Sequence, residues 1–558
     1  MKRTVKNMIR GSFLFIGLLH SSFFILYVSF LISCSRSDRN EQNYFHYNET
    51  TGISSLDPAF AKNQSNIWAV HQLFNTLVET DDQLHIVPSL AKSWEINDDR
   101  LQITFHLRTD VFFHNNSCFT SGKGRKVVAD DVVYSFQRLM DKSTASPGAW
   151  IFNNRVDATG GFKAIDDSTF QLTLLKPFVQ ILGVLSNVYC SVVPKEAVEK
   201  YGNDFRRNPV GSGPFQFKVW EEGQALIMAR NPSYFERDEA DQRLPYIDGI
   251  KVSFLDSKAT EFLEFRQKRL DFINDIEASF KDEILTRNGA LRKEWEGKIV
   301  LNKQAYLNIE YLGILMDETN PLVQNSPMKL KAVRQAINYG FDKRKLMLYL
   351  RNSIGTPAES GFVPMGLPSF DSNVVKGYHY DPQKAKALLK DAGFDAQHPP
   401  PAIKLLTIPI YADLASYMAR ELQDIGLTIQ VEAIQKSLLL TQTAKNQALF
   451  FRASWIADYP DAENYFSVFY SKNPSPPNYT RYHNPAFDAL YEQSTKEPSD
   501  SLRYKLYQQM DQIIVNDAPV VPVWYDMVIH LVQPHVQNFK PNALNWLELR
   551  RVKFEYNY

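Results

Sequence analysis

A strand-like segment that carries two opposite charges and stops at a proline constrains this chain more than any other feature. Its apolar run at residues 448–451 predicts a buried strand, and Pro460 ends that strand because proline has no backbone N–H to donate. Side chains alternate along a strand, so one face carries every second residue while the backbone stays extended. If the extended backbone continues to its end, one face presents Arg452, Ser454, Ile456 and Asp458.

The two charges on that face, Arg452 and Asp458, suit the two ends of a short peptide. At about 3.3 Å per residue they lie up to roughly 20 Å apart, close to the reach of an extended peptide of a few residues. The strand then offers an anion to an α-ammonium group and a cation to an α-carboxylate. Alternatively, Arg452 pairs with a carboxylate of the protein, and Asp458 caps the turn at Tyr459-Pro460. A buried charge needs a partner of either kind, so geometry leaves both interpretations open.

Size and composition describe an ordered protein of more than one domain. With 558 residues, the chain exceeds what one core usually holds, and two or three domains are expected. Hydrophobic residues make up 44% and charged residues 22%, as in ordered globular proteins. Formal net charge is zero, which gives no electrostatic reason to expect nucleic-acid binding.

The sequence contains no pattern that predicts an enzyme. Asp458 and Asp461 are two carboxylates three positions apart, which is too little to identify an acid/base pair. No Gly-x-Ser-x-Gly elbow or His-Glu-x-x-His helix occurs. The histidines are scattered, so no metal site is predicted, and no cofactor is expected.

The chain begins like an exported protein. A basic start up to Arg10 precedes an apolar stretch at residues 12–32, and Leu31-Ile32-Ser33-Cys34 resembles a bacterial lipobox. On this interpretation residues 1–33 are a lipoprotein signal peptide, Cys34 is lipidated, and residues 34–45 form a flexible tether. An uncleaved membrane anchor is the alternative, because the apolar stretch is long enough to span a bilayer. In both cases the rest of the protein is tethered to a membrane outside the cytoplasm.

Two further cysteines, Cys118 and Cys190, remain in the body of the chain. In an oxidising compartment they can pair, but two cysteines at this separation are more typical of unlinked thiols than of a disulfide scaffold.

Strand and helix patterns alternate along the body. Residues 101–108 and 170–174 alternate between apolar and polar, which predicts half-buried strands, and residues 311–316 predict a buried strand. Apolar residues recur every four positions within residues 330–341, which predicts an amphipathic helix. Asp342 is placed to cap the next helix. A helix at residues 414–422, a strand at 427–431 and the strand at Phe451 complete an α/β alternation.

Several of these motifs occur in the order found in one known family. They include Phe113-His114 ahead of an Asp-capped helix at 128–136, a Gly-x-Gly-Pro turn at 211–214, and Trp455-Ile-Ala-Asp458-Tyr459. Over about residues 50–545, the chain resembles the periplasmic peptide-binding proteins of ABC transporters, the extracellular solute-binding family that includes oligopeptide and dipeptide binders. It departs from the pattern at residues 115–126, a loop that is longer and more basic than usual.

The resemblance implies an α/β fold of the periplasmic-binding-protein type, with two lobes (class II, or cluster C) and an extra small α/β domain in the N-terminal lobe. The implied boundaries place the core of lobe I at residues 46–75, 196–305 and 524–558. The small domain spans residues 76–195, and lobe II spans residues 306–523.

The resemblance also implies a function and a set of site residues. In that family the Asp corresponding to Asp458 binds the amino terminus of the peptide, and in some members a basic residue placed like Arg452 helps receive a carboxylate. Trp455 either lines the cleft or packs beneath it, and Asp461 either adds negative potential near the amine or caps a turn. The predicted ligand-binding residues are Arg452, Ser454, Trp455, Ile456, Asp458, Tyr459 and Asp461.

The implied partners are a peptide, an ABC permease with its ATPase, and a membrane reached through the lipid anchor, and the protein is expected to be a monomer. Two alternatives stay open. One is a sensor or surface lipoprotein on the same fold, and the other is a binder of a non-peptide ligand such as nickel, haem or a sugar.

Overall fold

The computed structural model describes residues 43–276 and 278–556. The predicted signal peptide, the lipidation site at Cys34 and most of the tether lie outside the described residues. Within the described ranges, no helix combines the length and the apolar character needed to cross a membrane.

Strands and helices are interspersed along the described ranges. The strands are β1 (Tyr44–Asn48), β2 (Val78–Thr80), β3 (Ile86–Pro88), β4 (Ala91–Ile96), β5 (Gln102–Leu107), β6 (Phe162–Asp166), β7 (Thr169–Thr173), β8 (Phe215–Glu221), β9 (Ala225–Arg230), β10 (Gly249–Ser253), β11 (Phe272–Asn274), β12 (Val300–Ile314), β13 (Thr356–Pro357), β14 (Ile403–Thr407), β15 (Ile429–Ala433), β16 (Phe450–Ile456), β17 (Val520–Val532), β18 (Val536–Gln537) and β19 (Lys553–Phe554). The helices are α1 (Gln64–Leu73), α2 (Ala129–Met140), α3 (Ile181–Leu185), α4 (Lys195–Tyr201), α5 (Lys258–Arg266), α6 (Ala278–Ile284), α7 (Pro321–Gln324), α8 (Lys331–Tyr339), α9 (Lys343–Leu350), α10 (Pro382–Asp391), α11 (Ala412–Gln423), α12 (Lys436–Ala444), α13 (Glu463–Phe466), α14 (Pro485–Ser494) and α15 (Asp500–Asp517).

One eleven-stranded sheet runs through both lobes in the order β15-β14-β16-β12-β17-β11-β1-β10-β9-β8, with β13 beside β17. The long strands β12 and β17 are antiparallel and carry the chain between the lobes. At one end β17 pairs with β11 of lobe I, and at the other end β12 pairs with β16 of lobe II. The implied lobe boundaries at 305/306 and 523/524 therefore fall inside these two crossing strands.

The small domain contains its own four-stranded sheet, in the order β4-β5-β7-β6, with α2 packed against it. Phe136 of α2 contacts the rings of Phe152, Phe162 and Phe170 at centroid distances of 4.9 to 5.6 Å. The predicted Asp cap is Asp131, whose Oδ2 accepts the backbone N–H of Val128 at 2.9 Å. A buried aromatic core and a capped helix thus hold this domain together.

Several local predictions are confirmed. The strands expected at residues 101–108 and 170–174 are β5 and β7, and both alternate between buried and half-buried residues. Val333, Ile337 and Phe341 are buried, and Asp342 accepts the backbone N–H of Lys345 as the cap of α9. Cys118 and Cys190 are free thiols, as the unlinked interpretation predicts.

Two strand predictions differ from the structure at their ends. The strand expected at residues 311–316 is β12, which begins at Val300 and ends at Ile314. Its first half is exposed or half-buried, so it lacks the apolar run that identifies a buried strand. β16 ends at Ile456, because the backbone N–H of Asp458 donates to the side chain of Asn464 and not to β12.

Candidate functional site

Asp458 lies where lobe II meets the small domain of the N-terminal lobe. Its backbone carbonyl accepts a hydrogen bond from Asn187 Nδ2 of the small domain at 2.9 Å. The ring of Tyr459, the next residue, stacks on Trp150 of the same domain, with centroids 6.3 Å apart and an interplanar angle of 23°. The segment singled out by the sequence is therefore at the junction of the two lobes.

The Asp458 carboxylate is bound by an amide and not by a cation. Asn464 Nδ2 donates to Asp458 Oδ2 at 3.1 Å, and Asn464 Oδ1 accepts the backbone N–H of Asp458 at 3.2 Å. Among the residues that the structure describes, no Lys, Arg or His forms an ion pair with this carboxylate. Burial raises its pKa, and the hydrogen bond from Asn464 offsets only part of that effect.

Asp458 also keeps contact with solvent, since it is exposed at the surface of the junction. The surrounding protein therefore shields the carboxylate from part of the solvent, although the residue keeps an exposed surface. An ionised carboxylate in such surroundings is poorly solvated. A cationic group of a ligand would restore the lost stabilisation.

Arg452 is already paired within the protein. Its guanidinium binds Glu310 of β12, with Nε to Oε2 at 3.0 Å and Nη2 to Oε1 at 2.5 Å, and both side chains are largely buried. The ring of Tyr411 covers the guanidinium, with its centroid 4.1 Å away. Burial raises the pKa of Glu310, while the charge of Arg452 lowers it. Of the two alternatives left open for Arg452, the structure contains the pair with a protein carboxylate.

A second charged pair lies on the same face of the sheet, beside Glu310. Arg351 Nη2 lies 3.5 Å from Asp526 Oδ1, and Asn308 Nδ2 donates to Asp526 Oδ2 at 3.0 Å. The buried atoms Asn308 Oδ1, Arg351 Nε and Trp524 Nε1 have no hydrogen-bond partner among the residues that the structure describes. This polar face is continuous with Arg452 and Glu310.

Arg452 was predicted from the sequence, but the charged residues Glu310, Arg351 and Asp526 on the same face were not. Glu310 directly precedes the strand expected at residues 311–316. An acidic residue that adjoins a buried strand needs a partner, and this need was the one sequence signal that could have identified Glu310 as part of a charged pair. Arg351 and Asp526 lie far from the predicted segment in sequence and carried no such signal.

The other predicted site residues fall into two groups. Ser454 and Ile456 share the face of Arg452, and Ile456 is 48% exposed. Trp455 points to the opposite face, where it packs partly buried against the core of lobe II and donates from Nε1 to Asn464 Oδ1 at 2.9 Å. Of its two alternatives, packing beneath the cleft fits this position.

Tyr459 and Asp461 belong to a buried network beyond Asp458. The Tyr459 hydroxyl donates to Glu463, which also accepts from the hydroxyl of Tyr491. Asp461 Oδ1 accepts the backbone N–H of Glu463 at 2.8 Å and the hydroxyl of Tyr507 at 2.5 Å. Burial raises the pKa of Asp461 to about 6. The first of the Asp461 contacts is the turn cap that was one of its two alternatives.

Two lobes joined by crossing strands, with an acidic group at their junction, define the class of solute-binding proteins that close around a ligand. The family model "Bacterial extracellular solute-binding proteins, family 5 Middle" matches residues 85–477. The chain belongs to this family, whose members are solute-binding transport proteins. The resemblance and the fold class expected from the sequence are thereby confirmed.

Named relatives cover most of the chain. The periplasmic oligopeptide-binding protein OppA of Salmonella typhimurium is 28% identical over 88% of this chain and 89% of its own length. The heme-binding protein A of Haemophilus influenzae is 28% identical over 84% of each chain. Among solved structures, the periplasmic binding protein DppA of Helicobacter pylori, in complex with the peptide STSA, superposes with a TM-score of 0.73. It is 24% identical, and the match covers 93% of this chain and all of that one.

The described residues contain no group of three or more His, Cys, Asp or Glu side chains placed to hold a metal ion.

Proposed function

We propose that this protein is the membrane-tethered, extracytoplasmic binding subunit of an ABC importer and captures oligopeptides or dipeptides between its lobes. One observation carries the proposal: the Asp458 carboxylate lies at the junction of the lobes, and no cationic side chain of the described residues pairs with it. Membership of the family and the relative named for oligopeptides support it.

In this mechanism, Asp458 orients the peptide by its free amine. Closure of the lobes removes the charge pair from water, which strengthens it. Removing one partner of such a desolvated pair typically costs about 2 to 5 kcal/mol. The peptide backbone can bond to exposed strand edges, so affinity need not depend on the side chains of the peptide.

The opposite end of the cleft has a different electrostatic character. Arg452 shares its charge with Glu310, so a ligand carboxylate competes with a group already in place. We propose that Arg452 accepts that carboxylate weakly, and that the recognition of the two peptide ends is unequal. Ser454 and Ile456 form the cleft wall between the two charges in this proposal.

A haem ligand is the second candidate, because one relative is named for haem. Haem carries its ionised groups as carboxylates, and an unpaired Asp458 would repel them. The charge of the site therefore favours a ligand with a free amine.

Calorimetry with a tripeptide and its N-acetylated form tests the proposal. We expect the wild-type protein to bind the free-amine peptide more tightly, and Asp458→Asn to lose that preference. Asp166→Asn, at the exposed end of β6, is the control and should bind like wild type. Equal affinity of the wild-type protein for both peptides would exclude amine recognition at Asp458. Tight haem binding without peptide binding would favour the second candidate.

The membrane tether is a separate proposal and depends on Cys34. We expect the full chain to incorporate labelled palmitate in cells and to be found in the membrane fraction. The Cys34→Ser variant should carry no label and should be absent from the membrane fraction. Labelling that persists in the variant would rule out lipidation at this residue. Co-purification with a permease and ATPase tests the importer partner.

A further inference from the structure

The position of the Asp458 carboxylate depends on one buried side chain, that of Asn464 at the start of α13. Asn464 is 4% exposed and makes two bonds to the same residue. Its Nδ2 donates to Asp458 Oδ2 at 3.1 Å, and its Oδ1 accepts the Asp458 backbone N–H at 3.2 Å. A planar amide that binds both the carboxylate and the backbone of one residue restricts the rotation between them.

The third bond of Asn464 determines which way its amide faces. Its Oδ1 also accepts Trp455 Nε1 at 2.9 Å, so two donors converge on that oxygen. Reversing the amide would place an NH₂ group against both donors and an oxygen against the Asp458 carboxylate. The hydrogen-bond network therefore admits only one orientation, in which Nδ2 faces Asp458.

The amide of Asn464 differs from a basic residue because it leaves the negative charge of Asp458 available to a ligand. A lysine or arginine at this position would neutralise Asp458, as Glu310 and Arg452 neutralise one another. Among the described residues, the neutral amide leaves the negative charge without a cation and binds only Oδ2, so the second carboxylate oxygen, Oδ1, stays available to a ligand. Asn464 therefore supplies orientation without competing for the ligand's charge.

We propose that Asn464 is a positioning residue that sets the preference of this protein for ligands with a free amine. It acts through Asp458 and has no contact with the ligand of its own. The inference rests on the proposed function, since it concerns the same amine site. Asn464 lies outside the family motif quoted from the sequence, which ends five residues earlier at Tyr459.

Asn187 is a natural control, because it binds the same residue differently. Its Nδ2 donates to the Asp458 carbonyl from the small domain, and its Oδ1 accepts the backbone N–H of Tyr189 at 3.1 Å. Its hydrogen bond to Asp458 is made to the backbone and not to the carboxylate. We expect its loss to weaken the contact between the lobes and to affect all ligands alike.

The test measures the ratio of dissociation constants for an N-acetylated tripeptide and its free-amine form. We expect Asn464→Leu, which has a similar volume and no hydrogen bonds, to lower this ratio roughly tenfold relative to wild type. The shorter serine side chain in Asn464→Ser can bond to fewer of the three atoms that Asn464 binds. This variant provides a second measurement if the leucine variant does not fold. We expect Asn187→Ala to change both constants by the same factor, leaving the ratio as in wild type. Circular dichroism melts confirm that each variant is folded.

A folded Asn464 variant with the wild-type ratio would overturn the inference. If Asp458→Asn abolishes the preference in the same experiment, the proposed function stands and only the role of Asn464 fails. If Asp458→Asn keeps the wild-type ratio, the amine site itself is wrong. A lowered ratio in Asn187→Ala as well would mean that any loosening of the junction has this effect, which also contradicts the inference.

Discussion

Arg452 and Glu310 form a buried ion pair across the neighbouring strands β16 and β12, with Nη2 2.5 Å from Oε1. In the strand register Glu310 lies opposite Ser454, so the arginine reaches it diagonally. The two charged residues predicted at the ends of one strand segment therefore differ in their pairing. Arg452 has an anionic partner in the protein, and Asp458 has no cationic partner among the described residues. This inequality is the electrostatic basis of the proposed recognition of an amine.

Removing one member of this pair should destabilise the protein strongly. Glu310→Gln leaves Arg452 buried without a counter-charge, and we expect a loss of about 3 to 5 kcal/mol in the free energy of unfolding. The double variant Glu310→Gln with Arg452→Met should recover most of the loss seen in each single variant, because neither charge remains. Urea unfolding of the single and double variants measures the coupling. Lys404→Met, which breaks the exposed pair with Glu432, is the control and should change stability by less than about 1 kcal/mol. Additive effects of the two changes at 310 and 452 would contradict the prediction.

Acid should destabilise the protein partly through His114. This side chain is buried, its Nε2 donates to the carbonyl of Gly213 at 3.0 Å, and burial lowers its pKa to about 4. The unfolded chain takes up a proton near pH 6.5 and the folded chain does not, so stability is complete above pH 6.5 and falls as the pH drops toward 4. Between pH 7 and pH 5 the loss from this one group is about 2 kcal/mol.

The variant His114→Gln tests that assignment, since glutamine keeps a donor and does not titrate. We expect a smaller dependence of the unfolding free energy on pH between 5 and 7. His530, whose pKa is also lowered to about 4 by burial, should keep its own contribution in this variant. A pH dependence identical to wild type would show that His114 is accessible to protons in the folded state.

The stability contributed by the buried carboxylate of Glu463 should depend on the two tyrosines that donate hydrogen bonds to it. Tyr459 and Tyr491 both bind its carboxylate in a buried network. Tyr491→Phe removes one donor from a buried acceptor, and we expect a loss of about 1 to 3 kcal/mol in thermal unfolding experiments. Tyr470→Phe is the matched control, because Tyr470 donates to Glu492 at 2.7 Å near the surface. Similar losses in the two variants would show that burial of Glu463 is not the cause.

The stacked rings of Trp150 and Tyr459 should contribute to the affinity for every ligand. They join the small domain to lobe II next to Asp458, and such aromatic pairs are worth about 0.5 to 1.5 kcal/mol. We expect Trp150→Leu to weaken the binding of free-amine and N-acetylated peptides by the same factor, about two- to tenfold. Trp295→Leu alters a separate core cluster of lobe I and should leave peptide affinity unchanged. If Trp150→Leu binds peptides with the wild-type affinity, the stacking of Trp150 on Tyr459 does not contribute to ligand binding and the prediction is wrong.

Local patterns in the sequence were enough to predict most elements near the site. The alternation that identifies β5 and the four-residue period of α8 both arise within one element, so they can be recognised without any knowledge of its neighbours. The same holds for the turn cap at Asp461, whose partner is two residues away. The first half of β12 was missed because its exposed residues acquire strand structure only from pairing with β17.

By itself, the sequence determined the family, the α/β alternation and the position of a carboxylate after a charged strand. Only the tertiary structure decided which charges are paired. Glu310 is 142 residues from Arg452, and Asn187 is 271 residues from Asp458. Side-chain periodicity shows which face of a strand a residue occupies, but the group opposite that face is set by the order of strands in the sheet and by the contact between the lobes.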